Sequence, residues 1–234
     1  MGVYERQQKE KKILEAAVKL FGGKGFHYTK VEDVAKQAKI SKGLVYFYFK
    51  SKEDLYMAVA KKGFEELKDL FNKAYNKNKD KKGIEIIADL VEAFLSFTKD
   101  KKVYHEAILY FLGMLEPYND ESERKNMNGL VLESQYFKKL LDSHHDVAKI
   151  GIKIISQGIK DGSMRPDLQA EATFYTLWSM LIGNCWLQGT VHYEPKDIKI
   201  SAESWKNGFL KLFFEILKGS QQNVRYQPVQ GKLF

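Results

Sequence analysis

Apolar residues recur along most of the chain at spacings of three and four, the period of a helix with one buried face. Ile13, Ala17, Leu20 and Phe21 fall on one face of a first helix over about 5–21, with Lys9, Lys12 and Lys19 off it. Gly22, Gly23 and Gly25 end it, and Gly25 suits a left-handed cap. Val31, Val34, Ala35 and Ala38 give a short second helix, for which Thr29 and Glu32 have the spacing of a capping box. After the connection Lys39-Ile40-Ser41-Lys42, Ser41 can cap a third helix to about Phe49. Ser51, with Asp54 in the first turn, can cap a fourth that reaches about Tyr75.

The polar run NKNKDKK at 76–82 then breaks the pattern. Further helical periods cover 84–98, 103–115, 130–160, 168–188 and 203–217. The third of these runs past Ser143-His144-His145-Asp146, where a bend is expected, while 117–128 reads as a loop. No alternating strand pattern competes, so the fold class is all-α. Residues 1–52 form one expected domain, 53–218 a second, and the aperiodic 219–234 a mobile tail.

Charge sharpens this picture. The chain carries +8 formally over its 234 residues. Residues 1–82 hold 20 Lys/Arg against 11 Asp/Glu, a net of +9, and the remainder holds 18 against 19, a net of −1. A basic first third fits a polyanionic partner, although a solvated lysine surface has the same composition. The lone cysteine, Cys185, excludes an intramolecular disulfide and fits a reducing compartment. The opening MGVYERQQKEKK lacks an apolar signal core, and no run approaches the ~18 apolar residues of a membrane span. A cytoplasmic location without membrane contact is therefore expected.

Two short helices joined by a tight turn, the second flanked by lysines, have the form of a helix-turn-helix. Its third helix must bury one side and leave the other free for a DNA major groove. Val45 and Phe49, four apart, point inward, which turns Gly43, Leu44, Tyr46 and Phe47 outward between Lys42 and Tyr48. Lysines and phenol hydroxyls suit phosphates, and Gly43 permits close approach of the backbone. The GGKG at 22–25 lacks the spacing of a phosphate loop, His144 and His145 diverge too far to share a metal, and no acid, base and nucleophile converge. No cofactor, metal site or catalytic residue is expected.

Residues 13–56 resemble the DNA-binding domain of the TetR family of bacterial regulators. The resemblance rests on ILEAAVKLF, on Gly25-Phe26, on TKVEDVAKQA and on SKGLVYFYFKSKEDL. It implies an N-terminal helix-turn-helix joined by a long fourth helix to a helical ligand-binding and dimerisation domain. It implies that Thr29 caps the second helix and touches a phosphate, and that Lys42, Gly43, Leu44 and Phe47 face bases. Ser41 belongs to the same contact segment, with Tyr46, Tyr48 and Lys52 on phosphates. Lys39 departs from the pattern, because the family places glycine in this left-handed turn; Lys39 should therefore have positive φ.

The resemblance further implies a cavity for a small apolar or aromatic ligand. Phe94, Phe97, Tyr104, Phe111, Phe137, Tyr175 and Trp178 are candidate walls, with His105 and Asn184 as polar handles; each could equally be plain core. The last two helices carry apolar stripes: Leu181, Ile182 and Cys185 beside Trp178, then Trp205, Phe209, Leu212, Phe213 and Ile216. They could form a four-helix interface in a homodimer, or serve the chain's own core. The expected function is a sequence-specific transcriptional regulator on a pseudo-palindromic DNA site, a repressor released by its ligand. An activator, a non-specific architectural protein and an enzyme with an accessory helix-turn-helix are the rival readings.

Overall fold

A computed structural model of the chain describes residues 2–190 and 201–218. All regular elements among them are helices, thirteen in number. The head comprises α1 (Val3–Lys24), α2 (Val31–Ala38), α3 (Lys42–Tyr48) and the start of α4 (Lys52–Asn78). Then follow α5 (Gly83–Asp100), α6 (Lys102–Leu112), α7 (Leu115–Asn119), α8 (Glu121–Arg124) and α9 (Gly129–Leu132). The last are α10 (Gln135–Ser143), α11 (Asp146–Lys160), α12 (Ala170–Thr190) and α13 (Ala202–Lys218). No helix among the described residues is long and apolar enough to cross a membrane.

The chain divides into two compact units. One holds the residues up to Lys79 together with Ile86–Gly151; the other holds Asp80–Glu85 and the chain from Ile152 on. The head thus shares its unit with α6 to α10.

Within the first unit α4 is the central element, about 40 Å long at 1.5 Å per residue. Its apolar stripe of Leu55, Val59, Leu67 and Phe71 is buried, with α1, α6, α9 and α10 packed around it. Aromatic rings fill the space between. Phe111 of α6 meets Phe64 of α4 at 5.8 Å and Phe137 of α10 at 5.7 Å between centroids. Phe26, after α1, stacks on Tyr56 at 4.4 Å.

Two segments differ from the sequence expectation. Residues 115–124 form two short helices, and Asp120 caps the second with bonds from Ser122 and Glu123 N–H. The long helix over 130–160 is three helices. Asn128 caps its start, Ser134 interrupts it as a second side-chain cap, and the chain turns at His144-His145. Short polar side chains compete for backbone N–H groups and so favour caps over helix interiors. The mobile tail expected over 219–234 lies outside the described residues.

In the second unit the start of α5 is held by the turn after α11. Gly83 N–H donates to Asp161 Oδ2 at 2.8 Å and Ile84 N–H to Ser163 Oγ at 3.1 Å, satisfying two donors that a helix start leaves open. Here Gly83 lies so close to Gly158 that a Cβ on it would stand 2.3 Å from the Gly158 nitrogen. Arg165 N–H donates to Leu217 O at 2.9 Å, tying the end of α13 to the same turn.

Candidate DNA interface

The turn between α2 and α3 is built by backbone. Lys39 has φ 54° and ψ 49°, the left-handed conformation expected of it. That reversal lets Lys39 N–H reach Lys36 O at 3.1 Å and Ile40 N–H reach Ala35 O at 3.0 Å, closing the end of α2. Ser41 then caps α3 by accepting from Leu44 N–H at 3.2 Å, and Ser51 caps α4 by accepting from Asp54 N–H at 3.0 Å. Phe49, with φ −131° and ψ 113°, ends α3 after seven residues.

These ends decide which way α3 faces. Val45, Tyr48 and Phe49 are buried, a set at spacings of three and four. On the opposite side Phe47 is 66% exposed and Tyr46 43% exposed. Lys42 and Gly43 are exposed and Leu44 half-buried. Gly43 meets nothing within 4 Å and needs no special φ, so the chain's own packing does not require a glycine there.

Lys42 is not a free cation: it pairs with Glu32 of α2. The bond holds the Glu32 carboxyl below its usual range and raises the Lys42 ammonium. A DNA acceptor for Lys42 shares the ammonium's three N–H donors with that carboxylate or competes with it.

Three expected contacts are placed elsewhere. Thr29 does not cap α2. It is buried and donates to Gly25 O at 2.8 Å, while Lys30 takes the N-cap position and its N–H donates to Asp33 Oδ2 at 3.4 Å. With its hydroxyl spent on the preceding turn, Thr29 offers nothing to a phosphate. Tyr48, three residues after Val45, turns inward with it, and its hydroxyl is buried without a hydrogen-bond partner. Lys52 donates to Phe26 O at 3.0 Å and His27 O at 3.3 Å and lies 4.4 Å from the Phe26 ring. Its ammonium clasps the loop between α1 and α2. Conversely Tyr28, in that loop, is strongly exposed, and an aperiodic loop gave no sequence signal to single it out.

The head is also tied to α10. Asp54 is fully buried at the start of α4. Its Oδ2 accepts from Lys50 N–H at 3.1 Å and its Oδ1 from Ser134 Oγ at 2.6 Å. Ser134 in turn accepts from Tyr136 and Phe137 N–H at 3.2 and 3.1 Å as the cap of α10. Tyr136 stacks on Phe49 at 5.6 Å and its hydroxyl donates to Glu10 of α1.

The candidate ligand residues are divided between the two units. In the first unit Phe94, Phe97, Phe111 and Phe137 are buried and Tyr104 is half-buried. His105 is buried with its ring 6.2 Å from Phe94, and its Nε2 has no hydrogen-bond partner. Burial pushes that imidazole down to about 4. On α12, Tyr175 is about half exposed rather than enclosed, because it falls opposite the buried Phe174, Leu177 and Leu181. Trp178 is half-buried and stacks on Phe174 at 5.9 Å; Asn184 is buried with its Nδ2 unpartnered.

Of the candidate interface residues, Leu181 and Phe213 are buried in the chain itself, so they belong to its core. Ile182, Cys185, Trp205, Phe209 and Ile216 are half-buried, and Leu212 is 61% exposed. Trp186 and Leu187, which the stripes had not included, are exposed beside them.

Residues 13–59 match the family model described as bacterial regulatory proteins, tetR family. An uncharacterised HTH-type transcriptional regulator of Bacillus subtilis, YuxN, is 51% identical over 53 residues, 23% of this chain and 18% of the relative's length. The HTH-type transcriptional repressor KstR2 of Rhodococcus jostii is 28% identical over 162 residues, 69% of this chain and 71% of its own. Among solved structures, that of the transcriptional regulator FadR from Bacillus subtilis in complex with stearoyl-CoA is similar with TM-score 0.58. It is 19% identical and covers 89% of this chain and 98% of that one, a likeness of fold. These relatives are named as regulators of transcription, and residues 13–59 of the chain are similar to the DNA-binding domain of the TetR family.

Proposed function

We propose that the chain is a homodimeric repressor in the bacterial cytoplasm that leaves a pseudo-palindromic DNA site when a small apolar ligand binds. The observation that carries the DNA reading is the outer face of α3. Phe47 and Tyr46 are open to solvent on a seven-residue helix whose inner face is already filled. An exposed aromatic of that size calls for a partner. Phe47 and Leu44 can neither donate nor accept a hydrogen bond, so thymine methyl groups are their natural targets.

The half-open face of α12 and α13, with Leu212 and Trp186 at its most exposed points, supports a two-fold interface. In such a dimer the two α3 helices would sit one DNA turn apart, about 34–36 Å. The domain division that goes with this function is a head of residues 1–52 and a ligand and dimer body of 53–218. The ligand reading draws on two proteins to which the chain is similar: the FadR bound to stearoyl-CoA and the ketosteroid transcriptional regulator KstR2 of Mycobacterium tuberculosis. A long acyl chain or a fused-ring skeleton suits the aromatic interior around Phe94 and Phe111.

The test is fluorescence anisotropy on a duplex enriched from a random library and on its scrambled counterpart. Phe47→Ala should weaken the enriched duplex roughly 5- to 150-fold and leave the scrambled one nearly unchanged. Equal weakening of both would make Phe47 a packing residue. Adding stearoyl-CoA or a steroid acyl-CoA should lower affinity for the enriched duplex; a panel of both with no effect would remove the ligand reading.

A further inference from the structure

Arg6 is the only arginine in the first 123 residues, a stretch otherwise served by lysine. It lies in the first turns of α1, exposed, and its guanidinium carbon stands 5.9 Å from the centroid of the Phe47 ring. Arginine stacks on aromatic faces and is more weakly hydrated than lysine, so the pairing suits it.

The neighbouring carboxylates are spoken for. Glu10, four residues on and the natural helical partner of Arg6, accepts instead from the Tyr136 hydroxyl. Glu5 faces Lys9 at 3.6 Å. Lys42, at the other end of α3, is paired with Glu32. Arg6 therefore brings a positive charge to the rim of the exposed aromatic face, at the end of α3 away from Lys42.

We propose that Arg6 is a DNA-contacting residue, which holds a backbone phosphate beside the groove that Phe47 enters. The proposal rests on the reading of α3 as the DNA-binding helix. The Phe47 ring faces the guanidinium and leaves its N–H groups, which lie in the guanidinium plane, free at the edges to reach phosphate oxygens. Phosphate contacts fix register without reading sequence, so Arg6 sets affinity and docking, and the outer face of α3 sets the choice of site.

Fluorescence anisotropy on the enriched and scrambled duplexes, across a salt series, tests this with the full chain. Arg6→Ala should weaken both duplexes by a similar factor, about 3- to 10-fold, and lower the slope of log affinity against log salt by about one. Arg6→Lys should keep the wild-type slope, since a phosphate accepts a point charge. Unchanged affinity and slope in Arg6→Ala would overturn the proposal. So would a loss at unchanged slope, which would make Arg6 a mere prop for the Phe47 ring. A wild-type chain that enriches no duplex would remove the DNA reading itself, a result distinct from either.

Discussion

Ser134→Ala tests how the head is held. Ser134 is buried and accepts from Tyr136 and Phe137 N–H while donating to Asp54 Oδ1 at 2.6 Å. Truncation removes an N-cap, which costs about 1 kcal/mol. It also leaves Asp54 Oδ1 fully buried without its hydroxyl donor, a further ~1–3 kcal/mol. The expected loss is therefore about 2–4 kcal/mol in urea unfolding at fixed protein concentration. Ser143→Ala, at the other end of α10, removes only a bond to Lys139 O and should cost less than about 0.5 kcal/mol. Hydrogen exchange supplies the second readout: Lys50 N–H, bonded to Asp54, should exchange faster in Ser134→Ala although it lies 84 residues away. A loss below about 0.5 kcal/mol, or unchanged exchange at Lys50, would refute the coupling of α10 to the head.

Lys39→Gly should stabilise the fold by about 0.5–1 kcal/mol in thermal unfolding. It relieves a left-handed side chain costing ~1–2 kcal/mol, against ~0.4–1 kcal/mol of added freedom in the unfolded chain. Lys39→Ala, which keeps a Cβ, should gain nothing. His105 makes stability fall with acid. Its folded pKa of about 4 lies below the ordinary 6.5, so the unfolded chain binds the proton first. Stability is whole above pH 6.5 and is lost between 6.5 and 4, by at most about 3 kcal/mol. Wild type minus His105→Gln across that range should show this slope, and parallel curves would contradict it. Gly83→Ala would push a Cβ into the Gly158 backbone and should cost about 1–3 kcal/mol; an unchanged melting temperature would mean that the helices do not approach there.

What the sequence disclosed and what it concealed follow the range of the forces involved. The caps at Ser41 and Ser51 are set within four residues and are readable from them, whereas the left-handed Lys39 follows only from the family resemblance, because a lysine does not itself signal that conformation. The inward set of α3 is half legible: period gives Val45 and Phe49, but the resemblance places Tyr48 on a phosphate, although the same period turns it inward. Thr29 had the right spacing for a cap, yet Gly25 O, four residues back, takes its hydroxyl. Leu181 and Phe213 could not be told from interface residues, because an apolar stripe has the same pattern whether its own chain or a partner covers it. The Asp54–Ser134 bond joins residues 80 apart and leaves no periodic trace.

That bond also limits what can be transplanted. The stretch that matches the family model, 13–59, ends well short of the residues that hold it. Grafted onto another regulator's body, it would carry Asp54 without Ser134 and Phe49 without the Tyr136 ring beneath it. A seven-residue helix has little stability of its own and takes its order from what it packs against. The smallest portable reading head is therefore not a contiguous segment. A working chimera must bring the start of α10 with it, or a foreign hydroxyl and ring in the same places.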